Sequence, residues 1–410
     1  MIEEWNIKTI DDVDVKGKTV FVRVDINSPV DPETKKILDD TRIRVHALTI
    51  GELADKGAKV VVLAHQGRPG EPDFISLEQH AKILSNILKK EVKFVKDIFG
   101  EEAKKAIREL KPGEILVLEN VRMWPGERKK KSPEEHAQSE LVKNLAPLCD
   151  IFVVDAFAAA HRMHASLVGF APVVPEYIAG RVMERELKAL TKVLKPEKPC
   201  IYVLGGAKAE DSADVADAVL SKNIADKVLT GGLVANLFLY SKGYDLGKPN
   251  VEILEKKGFL ELKDRIKKLL DKYSDKIVLP VDLGVEVEKG KRKEVKVNEL
   301  PTDYLIKDIG KETMEIYAEE IKKAKTIVFN GPMGVFEEKP FDEGTRKVFE
   351  AISQAKAFSL VGGGHTVAAM RELGFEGKVS YASTGGGALI EFLIKGTLPV
   401  IEVLRKYSKK

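Results

Sequence analysis

The chain repeats one pattern. A short, solid run of Val, Ile and Leu ends in a glycine or polar turn, and an amphipathic stretch of helical length follows. In the first part the runs are "TVFVRVDI", "KVVVLA", "EILVLEN" and "IFVVDAF"; in the second they are "CIYVLGG", "KVLTGG", "KIVLPVDL", "TIVFNG", "FSLVGGG" and "KVSYAS". Strand-like runs alternating with helical segments describe βα units around a parallel sheet. Runs this uniformly apolar suit strands covered on both faces. The expected fold class is therefore α/β, with doubly wound parallel sheets.

At 410 residues the chain exceeds one typical core, and two domains are expected. Between the two sets of runs lies "GFAPVVPEYIAGRVMERELKALTKVLKPEKPC", where Pro172, Pro175, Pro196 and Pro199 bracket a stretch near Glu184 to Leu194. Met183, Leu187, Leu190 and Leu194 recur there at helical spacing, which predicts a connecting hinge helix. The reading is one domain over 1–178, a hinge helix over 179–195, a second domain over 196–395 and a final helix over 396–410. That last helix is a candidate to pack back on the first domain.

Composition narrows the functional classes. A net charge of +3 supplies no one-signed field to recruit nucleic acid or a membrane, so any anion site must be local. Cys149 and Cys200 lack the spacing of a metal site or disulfide framework, and read as core thiols in a reducing compartment. "MIEEWNIKTI" has no leader pattern and no window is apolar enough to span a bilayer, so a cytoplasmic location is expected.

In open α/β sheets ligands bind beyond the carboxyl ends of the strands. The two halves differ sharply there. The first offers "RVDIN" (Arg23, Asp25, Asn27), "HQGR" (His65, Arg68), "NVR" (Arg122) and "AAAHRMH" (His161, Arg162, His164), with Arg42 near a helix start. Six of the seven histidines precede residue 170, although basic and acidic residues are nearly balanced over that stretch. Converging guanidinium and imidazole donors suit a small, highly charged anion. Any one of these residues taken singly is as well explained by a surface ion pair or a cap. His161 and His164 lack a third ligand at metal spacing.

The second half uses glycine where the first uses arginine: "LGGAK", "TGGL", "NGPMG", "GGGHT" and "STGGGA". Glycine lets backbone approach a ligand, and free N–H groups at a helix start attract phosphate oxygens. A nucleotide site is the expectation, against the plain alternative of tight βα turns. Neither G-x-x-x-x-G-K-[ST] nor G-x-G-x-x-G is present. The missing second fingerprint weighs against a rival reading as an NAD-dependent dehydrogenase. A non-catalytic nucleotide-binding or nucleic-acid-binding protein is the other rival, and the clustered strand-end arginines and lack of a broad basic face weigh against it.

Taken in order, "RVDIN", "HQGRPG", "LENVR", "DAFAAAHRMHAS", "GGAK", "NGPMGVFE", "GGGHT" and "STGGGALIEFL" resemble the signature segments of the phosphoglycerate kinase family. The resemblance implies two Rossmann-like domains facing a cleft, the first holding 3-phosphoglycerate and the second MgADP or MgATP. The activity implied is reversible phosphoryl transfer between 1,3-bisphosphoglycerate and ADP in glycolysis and gluconeogenesis, aided by hinge closure. It carries Asp25, Asn27, Arg42, His65, Arg68, Arg122 and Arg162 to the substrate side. Lys208, Asn330, Glu337, Gly363, Gly364, His365 and Thr366 go to the nucleotide side, with Glu337 as ribose partner and Gly385 to Gly387 along the phosphate path. The implied catalytic set is Arg42, Lys208 and the backbone at Gly363 and Gly386. A monomer is the family habit, with a homodimer as alternative.

Two positions depart from the common bacterial and eukaryotic pattern. Ser212 stands where a second lysine follows "GGAK", and His365 stands where "GGGD" has an aspartate. Both resemble the archaeal branch. A neutral imidazole is a poor Mg²⁺ ligand, so Mg²⁺ is expected to rest mainly on nucleotide phosphates and water, with its protein ligands unassigned.

Overall fold

The computed structural model describes residues 1–409. It forms two compact units, the first comprising Met1–Lys188 with Thr397–Lys410 and the second Ala189–Gly396.

Unit 1 is built on a six-stranded sheet of β1 (Thr19–Arg23), β2 (Lys59–Leu63), β3 (Val92–Phe94), β4 (Ile115–Val117), β5 (Ile151–Val154) and β6 (Glu176–Ala179). The order is β3-β4-β2-β1-β5-β6 and every pairing is parallel. Val20, Val22, Val60, Val62, Ile115, Val117, Ile151 and Val153 share a buried cluster with Ile43, Ala47, Ile50 and Leu53 of the helix Thr41–Asp55. Phe21 and Phe152, on the opposite parity of their strands, pack against Phe170. Both faces of the sheet are thus covered, which is why its runs carry almost no polar residues.

Both edge strands of this sheet, β3 and β6, were not read from the sequence. The proline-rich stretch contributes the edge strand β6, whose short "EYIA" is masked by flanking prolines. The connecting helix, expected over 179–195, runs over Arg181–Leu194. Asp155, just past β5, sets its start: its Oδ1 accepts from Val182 N (2.9 Å) and Met183 N (3.2 Å), satisfying helix-start donors. Its Oδ2 meets His46 Nδ1 at 3.1 Å. The final helix Pro399–Tyr407 belongs to unit 1, with Val400 N donating to Ala160 O and Lys8 N to Ser408 Oγ.

Unit 2 holds a second parallel sheet of β7 (Cys200–Leu204), β8 (Lys227–Thr230), β9 (Ile277–Val278), β13 (Thr326–Asn330), β14 (Phe358–Gly362) and β15 (Tyr381–Ala382), ordered β15-β14-β13-β7-β8-β9. Between β9 and β13 the chain builds a separate antiparallel sheet from β10 (Asp282–Glu288), β11 (Lys291–Lys296) and β12 (Leu305–Ile309), ordered β11-β10-β12. The βα pattern did not reveal this sheet, because its hairpin "VEVEKGKRKEVKV" is charged on its open side. "KIVLPVDL", expected as one strand, is two: Pro280 separates β9 from β10. Arg292 of β11 anchors the sheet. It donates to Asp308 Oδ2 (2.7 Å), Ile309 O (2.7 Å) and Glu294 Oε2 (2.7 Å). Gly284 of β10 makes room, since a Cβ there would lie 2.6 Å from the guanidinium.

Among the described residues no helix is long and apolar enough to cross a membrane. Unit 1 also buries neutral histidines, and His80 is the clearest. Its Nε2 contacts Gln66 Oε1 at 2.9 Å, its Nδ1 has no partner, and burial pushes its pKa down to about 4. A base with a depressed folded pKa leaves stability untouched above its unfolded value near 6.5 and lowers it as pH falls toward 4, by up to about 3 kcal/mol. His80→Gln should therefore flatten the fall in unit 1 stability between about pH 6.5 and about pH 4, measured by denaturant unfolding across that range.

Candidate functional site

In unit 1 the sheet order puts β2 on one side of β1 and β5 on the other, so the chain reverses direction beside β1. Ligands bind outside strand ends at such a point. The loops there are knitted together by side chains. Asp25 Oδ1 accepts from Asn27 N (3.1 Å) and Arg42 Nη1 (2.9 Å), tying the loop after β1 to the helix Thr41–Asp55. Asn27 Oδ1 accepts from Gly67 N (2.7 Å), and Arg122 Nη1 donates to Gly67 O (2.7 Å). Asn120 closes the ring through Gln66 O (2.8 Å) and the Arg122 amide (3.1 Å). Gly67 must be glycine: its φ is +70°, and a Cβ would sit 2.5 Å from Asp73 O. The loop carrying His65 and Arg68 is thereby held beside Asn27 and Arg122.

The electrostatics of these loops are strongly positive. Burial, then the charges of Arg23, Arg162 and others, pushes Arg122 down to about 10. His164 is pushed down to about 3 by burial and by Arg23, Arg122, Arg162 and Arg128. Burial alone would raise Asp25, but the cationic groups around it, Arg42 and Arg23 included, hold it well below the usual carboxylate range. Apart from Arg42 and the buried Arg23, which pairs with Glu127, the cations of this region are not neutralised. Among the described residues none of Arg68, Arg122 and Arg162 forms an ion pair, and the buried Arg122 Nε has no hydrogen-bond partner. Arg68 is exposed and Arg162 half-buried.

Asp25, Asn27, Arg42, His65, Arg68, Arg122 and Arg162 thus come from neighbouring loops of one unit, and Arg128 joins them electrostatically. Arg128 was not singled out in the sequence because it opens the run "RKKK", which reads as a solvated charge patch. Arg23 differs from its strand-end neighbours. It is fully buried, with its guanidinium bonded to Ser166 Oγ (2.7 Å) and Val24 O (2.6 Å) and 3.1 Å from His65 Nδ1. His161 and His164 assemble no metal site: among the described residues no group of three or more His, Cys, Asp or Glu could hold an ion.

In unit 2 the reversal lies beside β7, flanked by β13 and β8. Three glycine loops interlock there through their backbones: Gly205 N donates to Asn330 O (3.0 Å), Gly206 N to Pro332 O (2.8 Å) and Gly232 N to Met333 O (2.9 Å). A Cβ on Gly205 would lie 2.3 Å from Pro332 O, so only bare backbone packs this closely. Lys208, exposed and without an ion pair among the described residues, immediately precedes the helix Ala209–Ser221. Thr366 is buried and its Oγ1 accepts from Gly331 N at 2.7 Å, while Gly364 and His365 are exposed at the start of the helix Gly364–Glu372. Gly363 precedes that helix with φ +86° and lies against Asn330 Oδ1, a buried acceptor with no partner. Gly386 precedes the helix Gly387–Lys395. Glu337 is exposed beyond β13.

A slot adjoins these loops. Gly232, Leu233, Leu283, Ile306, Ile309, Met333 and Gly334 line it, with Asp308 at its wall. Burial pushes Asp308 up to about 7 despite Arg292 beside it. No sequence signal marked the slot: its walls are mostly ordinary apolar residues, with Asn236, Lys307 and Asp308 among them, and several come from the antiparallel sheet that the βα pattern did not reveal.

Comparison with known proteins identifies the family. Residues 10–396 match the family model described as phosphoglycerate kinase. The chain is 51% identical over 403 residues to a phosphoglycerate kinase of Methanothermobacter thermautotrophicus, covering 98% of this chain and 97% of that one. A crystal structure of phosphoglycerate kinase from Pyrococcus horikoshii OT3 superposes with TM-score 0.90 at 45% identity, covering 98% of this chain and 99% of that one. The enzyme from Coxiella burnetii gives 0.83 at 34% identity, covering 98% and 100%. Matched along nearly its whole length in sequence and in fold, the chain belongs to the phosphoglycerate kinase family.

Proposed function

We propose that the chain carries out its family's reaction with the two units dividing the substrates, unit 1 holding 3-phosphoglycerate or 1,3-bisphosphoglycerate and unit 2 holding ADP or ATP. The observation that carries this reading is the gathering of Arg68, Arg122 and Arg162 with no carboxylate partner, beside a buried Arg122 Nε that lacks an acceptor. Unneutralised guanidinium groups in a folded protein favour an anion with several oxygens, and a phosphate monoester supplies them. Arg68, Arg122, Arg162 and His65 grip the 3-phosphate, while Asp25 and Asn27 orient the loops and Arg42.

The acceptor in the ATP-consuming direction is a carboxylate, already deprotonated at neutral pH, so no general base is required. Its oxygen attacks the terminal phosphorus of ATP, the bond to the bridging oxygen breaks, and ADP leaves. The reverse step returns the phosphoryl group to ADP. What the protein supplies is alignment and stabilisation of charge on the transferring group. Arg42, Lys208 and the amides at Gly363 and Gly386 take that role. Thr366, Gly364 and His365 lie along the nucleotide phosphates, and Glu337 reaches the ribose. The apolar slot beside Gly232 and Met333 suits a purine base, which needs flat apolar walls more than charge.

Mg²⁺ enters with the nucleotide as part of that substrate. The donor set in unit 2 does not fit a protein-held ion: His365 is exposed, and no carboxylate cluster stands near Gly363 among the described residues.

The roles separate kinetically. Arg42→Ala should lower kcat by roughly 10² or more with little change in the KM for 3-phosphoglycerate. Arg68→Ala should raise that KM by about tenfold and leave kcat nearly unchanged, the loss of one charge-assisted contact. A coupled assay with ATP and 3-phosphoglycerate reads both, and normal turnover in the Arg42 variant would remove it from the reacting group. Leu233→Asp, which puts a charge into the slot, should raise the KM for ATP by about tenfold and leave that for 3-phosphoglycerate unaltered.

A further inference from the structure

We propose that Arg23 is a positioning residue that holds His65 as a neutral imidazole with its proton on Nε2, so that His65 serves the anion site as a fixed hydrogen-bond donor and not as a cation. The inference rests on the reading of unit 1 as the phosphoglycerate side.

The geometry leaves one arrangement of protons. Arg23 Nη2 lies 3.1 Å from His65 Nδ1. A guanidinium carries five donors and no acceptor, and it stays protonated in proteins, so Nδ1 must present its lone pair. A proton on Nδ1, in either the other tautomer or the imidazolium, would set two donors face to face. The remaining ring proton is then on Nε2.

Arg23 has no freedom to turn away. Its side chain is fully buried; Nε donates to Ser166 Oγ (2.7 Å) and Nη1 to Val24 O (2.6 Å). Ser166 is locked in turn on Glu127, donating from its amide to Oε1 (2.7 Å) and from its hydroxyl to Oε2 (2.6 Å). Glu127 Oε2 stands 3.7 Å from Arg23 Nη2, and both side chains are wholly shielded from water. Burial raises Glu127 and lowers Arg23, opposed by the attraction between them and, for Glu127, by the Ser166 donors. A residue on β1, one after the β4 loop and one after the β5 loop therefore form a rigid, nearly neutral support beneath His65.

The other ionisable groups around His65 are Asp25 from the β1 loop, Arg122 from the β4 loop and His164 from the β5 loop. Asp25 favours a second proton on the ring; burial, Arg23, Arg122 and His164 oppose it, and the balance lies well below the ordinary imidazole value. An unclamped histidine beside a phosphate would gain a proton as the anion bound, making affinity depend on pH near 6.5. A clamped one gives a contact of constant sign and direction, and leaves the arginines to supply the charge.

The test is a long-range ¹H–¹⁵N correlation spectrum of the histidine rings in the full-length labelled protein, with His65 assigned by its loss in His65→Gln. Expected is an unprotonated Nδ1 and a protonated Nε2, unchanged from about pH 5.5 to about pH 8 and on adding 3-phosphoglycerate. A doubly protonated ring at about pH 6.5, or a proton on Nδ1, overturns the proposal, and the wild-type protein alone decides this. Arg23→Lys keeps the buried charge and loses the fork. In it His65 should sample both tautomers or titrate within the window, and the KM for 3-phosphoglycerate should become several-fold more pH-dependent than in the wild type. An unaltered His65 spectrum in a folded Arg23→Lys protein also overturns the role of Arg23. His65→Gln, which can donate as a neutral amide, should keep the wild-type pH profile with KM raised only a few-fold. If the tautomer is as expected but His65→Ala leaves 3-phosphoglycerate binding intact, the substrate-side assignment of His65 fails and the link to function falls with it, while the Arg23–His65 clamp itself stands.

Discussion

Each parallel sheet in this protein is sealed on both faces by helices, and that single constraint governs where anything polar can go. A strand buried on two sides has little room for an unpaired charge along its length, since such a charge carries a desolvation penalty of several kcal/mol. Polar chemistry is displaced to the carboxyl ends of the strands, where the chain leaves the sheet and its loops meet. In unit 1 these are the loops after β1, β2, β4 and β5; in unit 2, those after β7, β8, β13 and β14.

The two units answer the constraint with different chemistry. Unit 1 crowds cations around few counter-charges. Asp25 restrains Arg42, Glu127 restrains Arg23, and Arg122 anchors one of its nitrogens on the Gly67 carbonyl. The rest of the positive charge has no internal partner, and it adds to burial in holding His164 well below the ordinary imidazole range. Such a region is stable enough to fold because its buried charges are bonded, while its outer guanidinium groups stay near water or a ligand. Unit 2 brings backbone together. Gly205, Gly206 and Gly232 let three loops touch through peptide groups, and the helix starts beside Gly363 and Gly386 leave amides free of side-chain cover.

The Arg292–Asp308 anchor gives the antiparallel sheet of unit 2 a place in this scheme. By fixing β12 against the helix that begins at Glu343, through Gly344 N to Asp308 Oδ2 at 2.8 Å, it sets Ile306 and Ile309 along the slot. A region with none of the glycine or arginine signatures thus shapes one wall of the candidate base site.

The sequence by itself determined the βα architecture, the two-part division of the chain and the strand-end residues worth comparing, because sheet burial and turn chemistry are local properties written in runs of Val and Ile and in Gly-rich turns. "HQGRPG" and "GGGHT" were legible for that reason. The tertiary structure alone decided which arginine is sealed by an ion pair and which is left without one: Arg23 and Arg122 look alike in sequence, yet Arg23 is closed in by Ser166 and Glu127, more than a hundred residues away. It alone revealed the β6 edge strand, the Asp155 cap that starts the connecting helix and the apolar slot. Burial, hydrogen-bond partners and cavity walls are properties of residues distant in sequence, and no local pattern encodes them.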